Sequence, residues 1–98
     1  MTIEKKISDI MTVLKINGRL DTTTAPVLDK TISEDISEST NLILDLKELE
    51  YISSAGLRVL LSAQKRMQRS GSMKLSNVCE EVMDVFEMTG FADILEFV

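Results

Sequence analysis

Asn41-Leu42-Ile43-Leu44-Asp45-Leu46, then a short spacer, then Tyr51-Ile52-Ser53-Ser54-Ala55-Gly56-Leu57 is the stretch on which the fold turns. The first run is apolar almost throughout and does not alternate, which predicts a central strand covered on both faces. The second run opens a helix that continues from Leu57 to Arg69, with Leu57, Leu60, Leu61 and Met67 as its apolar face. Lys65, Arg66 and Arg69 lie toward its C-terminal end, where cations complement the helix dipole, and Gly71 is the expected stop. The serine pair therefore sits where a strand hands over to a helix. Backbone N–H groups there lack intrahelical partners and the dipole is positive, so a hydroxyl either caps the helix or is a place where a phosphate is tolerated.

Outward from this junction, two strands open the chain, Ile3 to Ser8 and Ile10 to Asn17, with a turn at Ser8-Asp9. Ile3, Ile7, Ile10, Leu14 and Ile16 form one apolar set, and Val13 faces the other way. Gly18 is the expected end of the second strand. Thr24-Ala25-Pro26 reads as a helix start, with Thr24 as cap, and Leu28, Ile32 and Ile36 as the buried stripe. Met73 to Leu75 reads as a short strand. Ser76 or Asn77 is placed to cap a third helix with the stripe Val78, Val82, Val85, Phe86 and Met88, an acidic outer face of Glu80, Glu81, Asp84 and Glu87, and an end at Thr89-Gly90. Ile94 to Val98 reads as a last strand. The expected architecture is one α/β domain over residues 1–98, in the order β-β-α-β-α-β-α-β, with a mixed sheet and helices packed on it.

Composition narrows the chemistry. The chain has 98 residues and a net charge of −5, with 44% hydrophobic and 28% charged residues, as expected for a soluble globular domain. No apolar run approaches the length of a membrane span and none follows Lys5-Lys6 as a signal peptide would, so the expected location is cytoplasmic, without membrane insertion. The acidic balance argues against direct nucleic-acid binding. With no histidine and a single cysteine, Cys79, a Ser-His-Asp triad, a Cys-His pair, a structural zinc site and an internal disulfide are excluded. No Gly-rich phosphate loop of the Walker type is present, and no cofactor is expected. Cys79 lies near a helix start, but Glu80 and Glu81 oppose thiolate formation, so a plain helix-packing or surface cysteine is favoured over a phosphocarrier or redox one. The methionines read as core filler. Asp45 ends the central strand, where it can bond to nearby loops.

The two halves of the opening stretch together resemble the signature of STAS domains, and among them the bacterial anti-sigma factor antagonists. Gly18-Arg19-Leu20-Asp21 is similar to that family's Gly-x-Leu/Ile-Asp motif, and Val85-Phe86-Glu87-Met88-Thr89-Gly90-Phe91 to its third-helix ending. The likeness covers essentially the whole chain. It implies a non-enzymatic protein, a monomer or weak dimer, that binds a serine-kinase anti-sigma factor when unphosphorylated. Phosphorylation by that kinase releases it, and a PP2C-type phosphatase restores it. Aligned on Gly56, the phosphoacceptor falls on Ser54, with Ser53 as second choice, and the partner-binding rim comprises Asp21, Ser53, Ser54, Ala55 and Gly56. Ser53 stands where the family usually has Asp. That departure leaves room for a constitutive STAS scaffold or accessory subunit, in a lipid-transport or stress-signalling complex, without phospho-switching. Asp21 is read equally as a docking residue and as the organiser of the turn before Thr24.

Overall fold

The computed structural model describes residues 1–8 and 11–98. Strands β1 (Thr2–Ser8) and β2 (Met11–Leu20) pair antiparallel, from Thr2 opposite Asn17 to Ser8 opposite Met11. The expected Ser8-Asp9 turn, and Ile10 with it, lie outside the described residues. Helix α1 (Ala25–Asp35), strand β3 (Asn41–Asp45), strand β4 (Leu49–Ile52), helix α2 (Ser54–Met67), strand β5 (Ser72–Ser76) and helix α3 (Glu80–Thr89) follow, with a short 3-10 turn at Phe91–Asp93. The sheet has five strands in the order β1-β2-β3-β5, with β4 paired to β2 off that path. All pairs except β1 with β2 are parallel.

β2 is long enough to serve two partners on one edge. Met11 to Lys15 pair with β3, and Gly18 to Leu20 pair with β4 after a register shift at Gly18/Arg19. Gly18 thus interrupts the ladder where the strand was expected to end, and the strand runs on to Leu20. The sheet steps from β2 to β3 to β5 in one direction. Right-handed crossovers then bring α1 and α2 to the same face. Burial agrees: Leu14, Ile16, Leu42, Leu44, Met73 and Leu75 are fully enclosed, while Val13, Lys15, Ile43 and Lys74 between them are only half-buried. β3 therefore alternates and is not covered on both faces. Its apolar sequence misleads because Ile43 sits on the more open side.

The core extends to Leu20, Leu28, Ile32, Leu60, Met67, Val82 and Phe86. α3 closes one end by packing on β4, with the Phe86 ring 6.0 Å from that of Phe97. Arg66 Nη2 donates to the Ile36 carbonyl at 3.3 Å and its guanidinium faces Glu38, so a cation from α2 serves the C-terminal end of α1.

Several expectations are corrected. Leu49 and Glu50, in the expected spacer, form strand β4 together with Tyr51 and Ile52. The last strand shrinks to a single parallel bridge between Leu75 and Phe97, fixed by Leu75 N–H to Glu96 carbonyl and Val98 N–H to Leu75 carbonyl. α3 starts after Cys79, not at Ser76 or Asn77. Ser76 ends β5, and Asn77 adopts a left-handed conformation that turns its amide toward Asp45. Met88 is 83% exposed, and Ile7 and Met11 are exposed as well, so only some of the methionines and isoleucines fill the core. α2 stops at Met67, short of Gly71, whereas Gly90 with φ 82° ends α3 as expected.

Gln64 faces inward from α2, 2% exposed, and neither end of its amide has a hydrogen-bond partner among the described residues. A buried amide without a partner is destabilising by roughly 1–3 kcal/mol relative to an apolar group of similar shape. Gln64→Met is therefore expected to raise the unfolding free energy by about 1 kcal/mol in a urea titration. A decrease would show that the amide is bonded. Gly56 makes the opposite case. A Cβ there would meet Leu20 Cγ at 2.8 Å and Ile52 Cγ1 at 2.9 Å, so Gly56→Ala is expected to cost about 1–3 kcal/mol in the same assay.

Candidate functional site

The pairing of Leu20 with Ile52 brings two connections side by side at the C-terminal ends of parallel strands. One is the turn from β2 into α1, which begins at Asp21. The other is the single residue Ser53 between β4 and α2. The Ser53 N–H donates to the Leu20 carbonyl at 2.9 Å, so the helix start is tied to the sheet by the same ladder. Gly56 allows the first turn of α2 to press against Leu20 and Ile52.

The two serines divide the roles that the sequence left open between them. Ser53 is the N-cap, extended at φ −98°, ψ 175°, and its Oγ accepts from the Gly56 N–H at 3.4 Å. It is half-buried. Ser54 is the first helical residue and is exposed, and its hydroxyl has no partner among the described residues. Ser and Asp are comparably good N-caps. Ser53 therefore caps the helix as an Asp would, without the negative charge.

Asp21 organises its turn. Its Oδ1 accepts from the N–H groups of Thr23 (3.0 Å) and Thr24 (3.1 Å) and from the Thr24 hydroxyl (3.2 Å). The Ala25 N–H donates to the Asp21 carbonyl at 2.8 Å. Thr24 does not cap α1 through its side chain. Its Oγ1 is held between the Asp21 N–H and the Arg19 carbonyl, which leaves the orphan amides of the turn to the carboxylate. Asp45 plays the same part between β3 and the β5–α3 connection, accepting from the Lys47 N–H and the Asn77 amide. The Cys79 thiol, half-buried, donates to the Leu49 carbonyl at 3.6 Å, as a packing cysteine would.

Two features escaped the sequence. Arg19 and Tyr51 are cross-strand neighbours on β2 and β4, with the guanidinium 4.2 Å above the exposed ring and its Nε 4.0 Å from the Asp21 carboxylate. The Arg-to-Tyr spacing carries no signal until β4 is recognised as a strand. The second feature is an open groove of about 350 Å³ between α1 and α2, with Thr22, Pro26 and Asp29 on one wall and Ala55, Arg58 and Ser62 on the other. Charge is also segregated. α2 carries Arg58, Lys65 and Arg66 and no carboxylate, whereas α3 carries Glu80, Glu81, Asp84 and Glu87 and no cation.

The Thr24 N–H holds the Asp21 carboxyl below its usual value of 3.8 against a desolvation that raises it, and the Thr23 N–H, the Thr24 hydroxyl and Arg19 add to the lowering. A carboxylate with a depressed folded-state pKa stabilises the fold fully at neutral pH. That contribution fades as pH falls through 3.8 toward the folded-state value. Asp21→Asn is therefore expected to lower the thermal midpoint at pH 7, with the difference from the unaltered protein shrinking below about pH 3.8. A difference that stays constant between pH 7 and pH 3 in thermal melts would contradict this role.

Comparison with known proteins places this geometry in a family. A family model described as the STAS domain matches residues 2–98. The chain is 32% identical over 84 residues to the anti-sigma-B factor antagonist of Bacillus subtilis, covering 85% of this chain and 77% of that protein. It is 32% identical over 83 residues to the anti-sigma-B factor antagonist of Listeria monocytogenes, covering 83% and 73%. The crystal structure of an anti-sigma factor antagonist from Mycobacterium paratuberculosis superposes with a TM-score of 0.87 at 22% identity, covering 98% of this chain and 83% of the other, and so shares the fold. A mixed sheet whose parallel edges bring Asp21 beside a capped, serine-led helix, over a chain matched almost end to end, makes this protein a member of the STAS domain family.

Proposed function

We propose that the protein is an anti-sigma factor antagonist whose binding is controlled by phosphorylation of Ser54. Unphosphorylated, it binds an anti-sigma factor that is also a serine kinase. Phosphate on Ser54 ejects it, and a PP2C-type phosphatase returns it to the binding form. It performs no catalysis of its own and works in the cytoplasm, and no described helix is long and apolar enough to cross a membrane. The names of the curated relatives support the antagonist role.

The observation that carries the switch is the unlike environment of the two serines. Ser54 is exposed at the first position of α2, and its neighbours Ala55 and Gly56 are small enough for a partner's active site to approach. Ser53 is occupied as the cap. A phosphoserine adds about −1.5 to −2 charge, and at a helix N-terminus the free N–H groups and the dipole accommodate it. The domain then stays folded while the surface it offers a partner changes sign locally. Asp21, Arg19 and Tyr51 lie along the same rim and extend the docking surface beyond the serine.

Incubation with ATP and the cognate kinase, followed by mass spectrometry, is expected to find phosphate on Ser54 and none on Ser53. In a binding assay Ser54→Ala should retain partner affinity and Ser54→Asp should weaken it at least about tenfold, as a like or unpaired charge in a docked interface does. Phosphate on Ser53 instead, or equal affinity for Ser54→Ala and Ser54→Asp, would favour a constitutive scaffold and overturn the switch.

A further inference from the structure

Ser54 and Arg58 are four residues apart on α2, so their Cβ atoms are neighbours along one helix face, about 5–6 Å apart. Both are exposed. The other guanidinium at this end of the domain is engaged, since Arg19 lies between Tyr51 and Asp21. Arg58 makes no hydrogen bond or ion pair among the described residues. It lines the groove between α1 and α2 opposite Asp29, yet the two are not within ion-pair distance. Asp21, in the connection beside Ser53, and Asp29, on the groove wall, would both repel a phosphate on Ser54. Arg58 is the local cation free to offset them.

We infer that Arg58 is the in-chain partner of a phosphate on Ser54. The inference rests on the modification proposed above. A guanidinium can give two parallel N–H···O bonds to phosphate oxygens, a geometry that a lysine cannot offer. The helix N–H groups face the phosphate from the axis while Arg58 reaches it from one turn along the surface. The modified protein then presents a closed ion pair rather than a bare dianion. At the same time Arg58, open on the groove wall of the unmodified protein, is withdrawn from anything that approaches. Phosphorylation thereby alters two places on the surface with one group.

The test installs phosphoserine at position 54 during synthesis by codon suppression and follows the phosphate by 31P NMR across a pH titration. The unaltered background, Arg58→Gln and Lys65→Gln are compared. An adjacent cation favours the dianion, so the second phosphate pKa should rise by about 0.2–0.4 unit in Arg58→Gln. The difference should largely vanish in 1 M NaCl. Lys65 lies on the same exposed face about 16 Å further along the helix, beyond the screening length, and Lys65→Gln should move the value by less than about 0.1 unit. Identical titrations for the unaltered and Arg58→Gln backgrounds, or equal shifts for Arg58→Gln and Lys65→Gln, would overturn the pairing. Because no kinase is used, this result is independent of whether the cognate kinase modifies Ser54.

Discussion

The end of β2 pairs in parallel with β4, and nearly everything at the candidate site depends on that short ladder. Leu20 opposite Ile52 buries two apolar side chains, and the Ser53 N–H continues the hydrogen bonding to the Leu20 carbonyl. Those contacts fix where α2 begins. They also fix where β2 gives way to the Asp21 turn, because the same residue, Leu20, is the last of its strand. Gly56 is the steric condition for this arrangement, since the first turn of α2 lies against Leu20 and Ile52 too closely for a side chain. The core beneath, from Leu14 through Leu44 to Phe86, holds the frame. This small contact decides which residues stand next to one another at its edge.

How much of this was legible follows from what sequence patterns encode. The serine junction, the stripes Leu28–Ile32 and Leu57–Leu60, and the Gly90 stop were readable because helix periodicity and glycine chemistry are local. β4 was not, because its two middle residues, Glu50 and Tyr51, are exposed and four residues are too few to show a pattern. Losing β4 also hid the Arg19–Tyr51 stack, which exists only across that pairing. The expected two-sided cover on β3 failed because apolar content does not reveal which face a helix takes. Crossover direction does, and it is set by strand order. At α1 the threonine before Ala25-Pro26 reads as the cap, but its hydroxyl is held by the Asp21 N–H and the Arg19 carbonyl, and the Asp21 carboxylate takes the turn amides of Thr23 and Thr24.

Within the candidate site the residue types were found and their division of labour was not. Cap and exposed hydroxyl are adjacent in sequence and chemically alike. Only the backbone geometry, with Ser53 extended and Ser54 helical, separates them. Asp21 was balanced between docking and turn formation, and the contacts show that it forms the turn whatever else it touches. The role of Ser53 is also clearer. Its hydroxyl accepts the helix amide, a task that a carboxylate would do equally well while adding a charge.

The tie between Ser53 and Leu20 has one more consequence. A connection of a single residue, hydrogen-bonded into a sheet on one side and capping a helix on the other, has almost no slack. A chemical event on its surface cannot easily be translated into a loop swing or a rearranged backbone. Whatever message this corner of the molecule conveys must be written in electrostatic potential on an unchanging scaffold. Such a message is local and cheap to erase, because returning to the starting state requires only that a charge be removed and never that the chain refold.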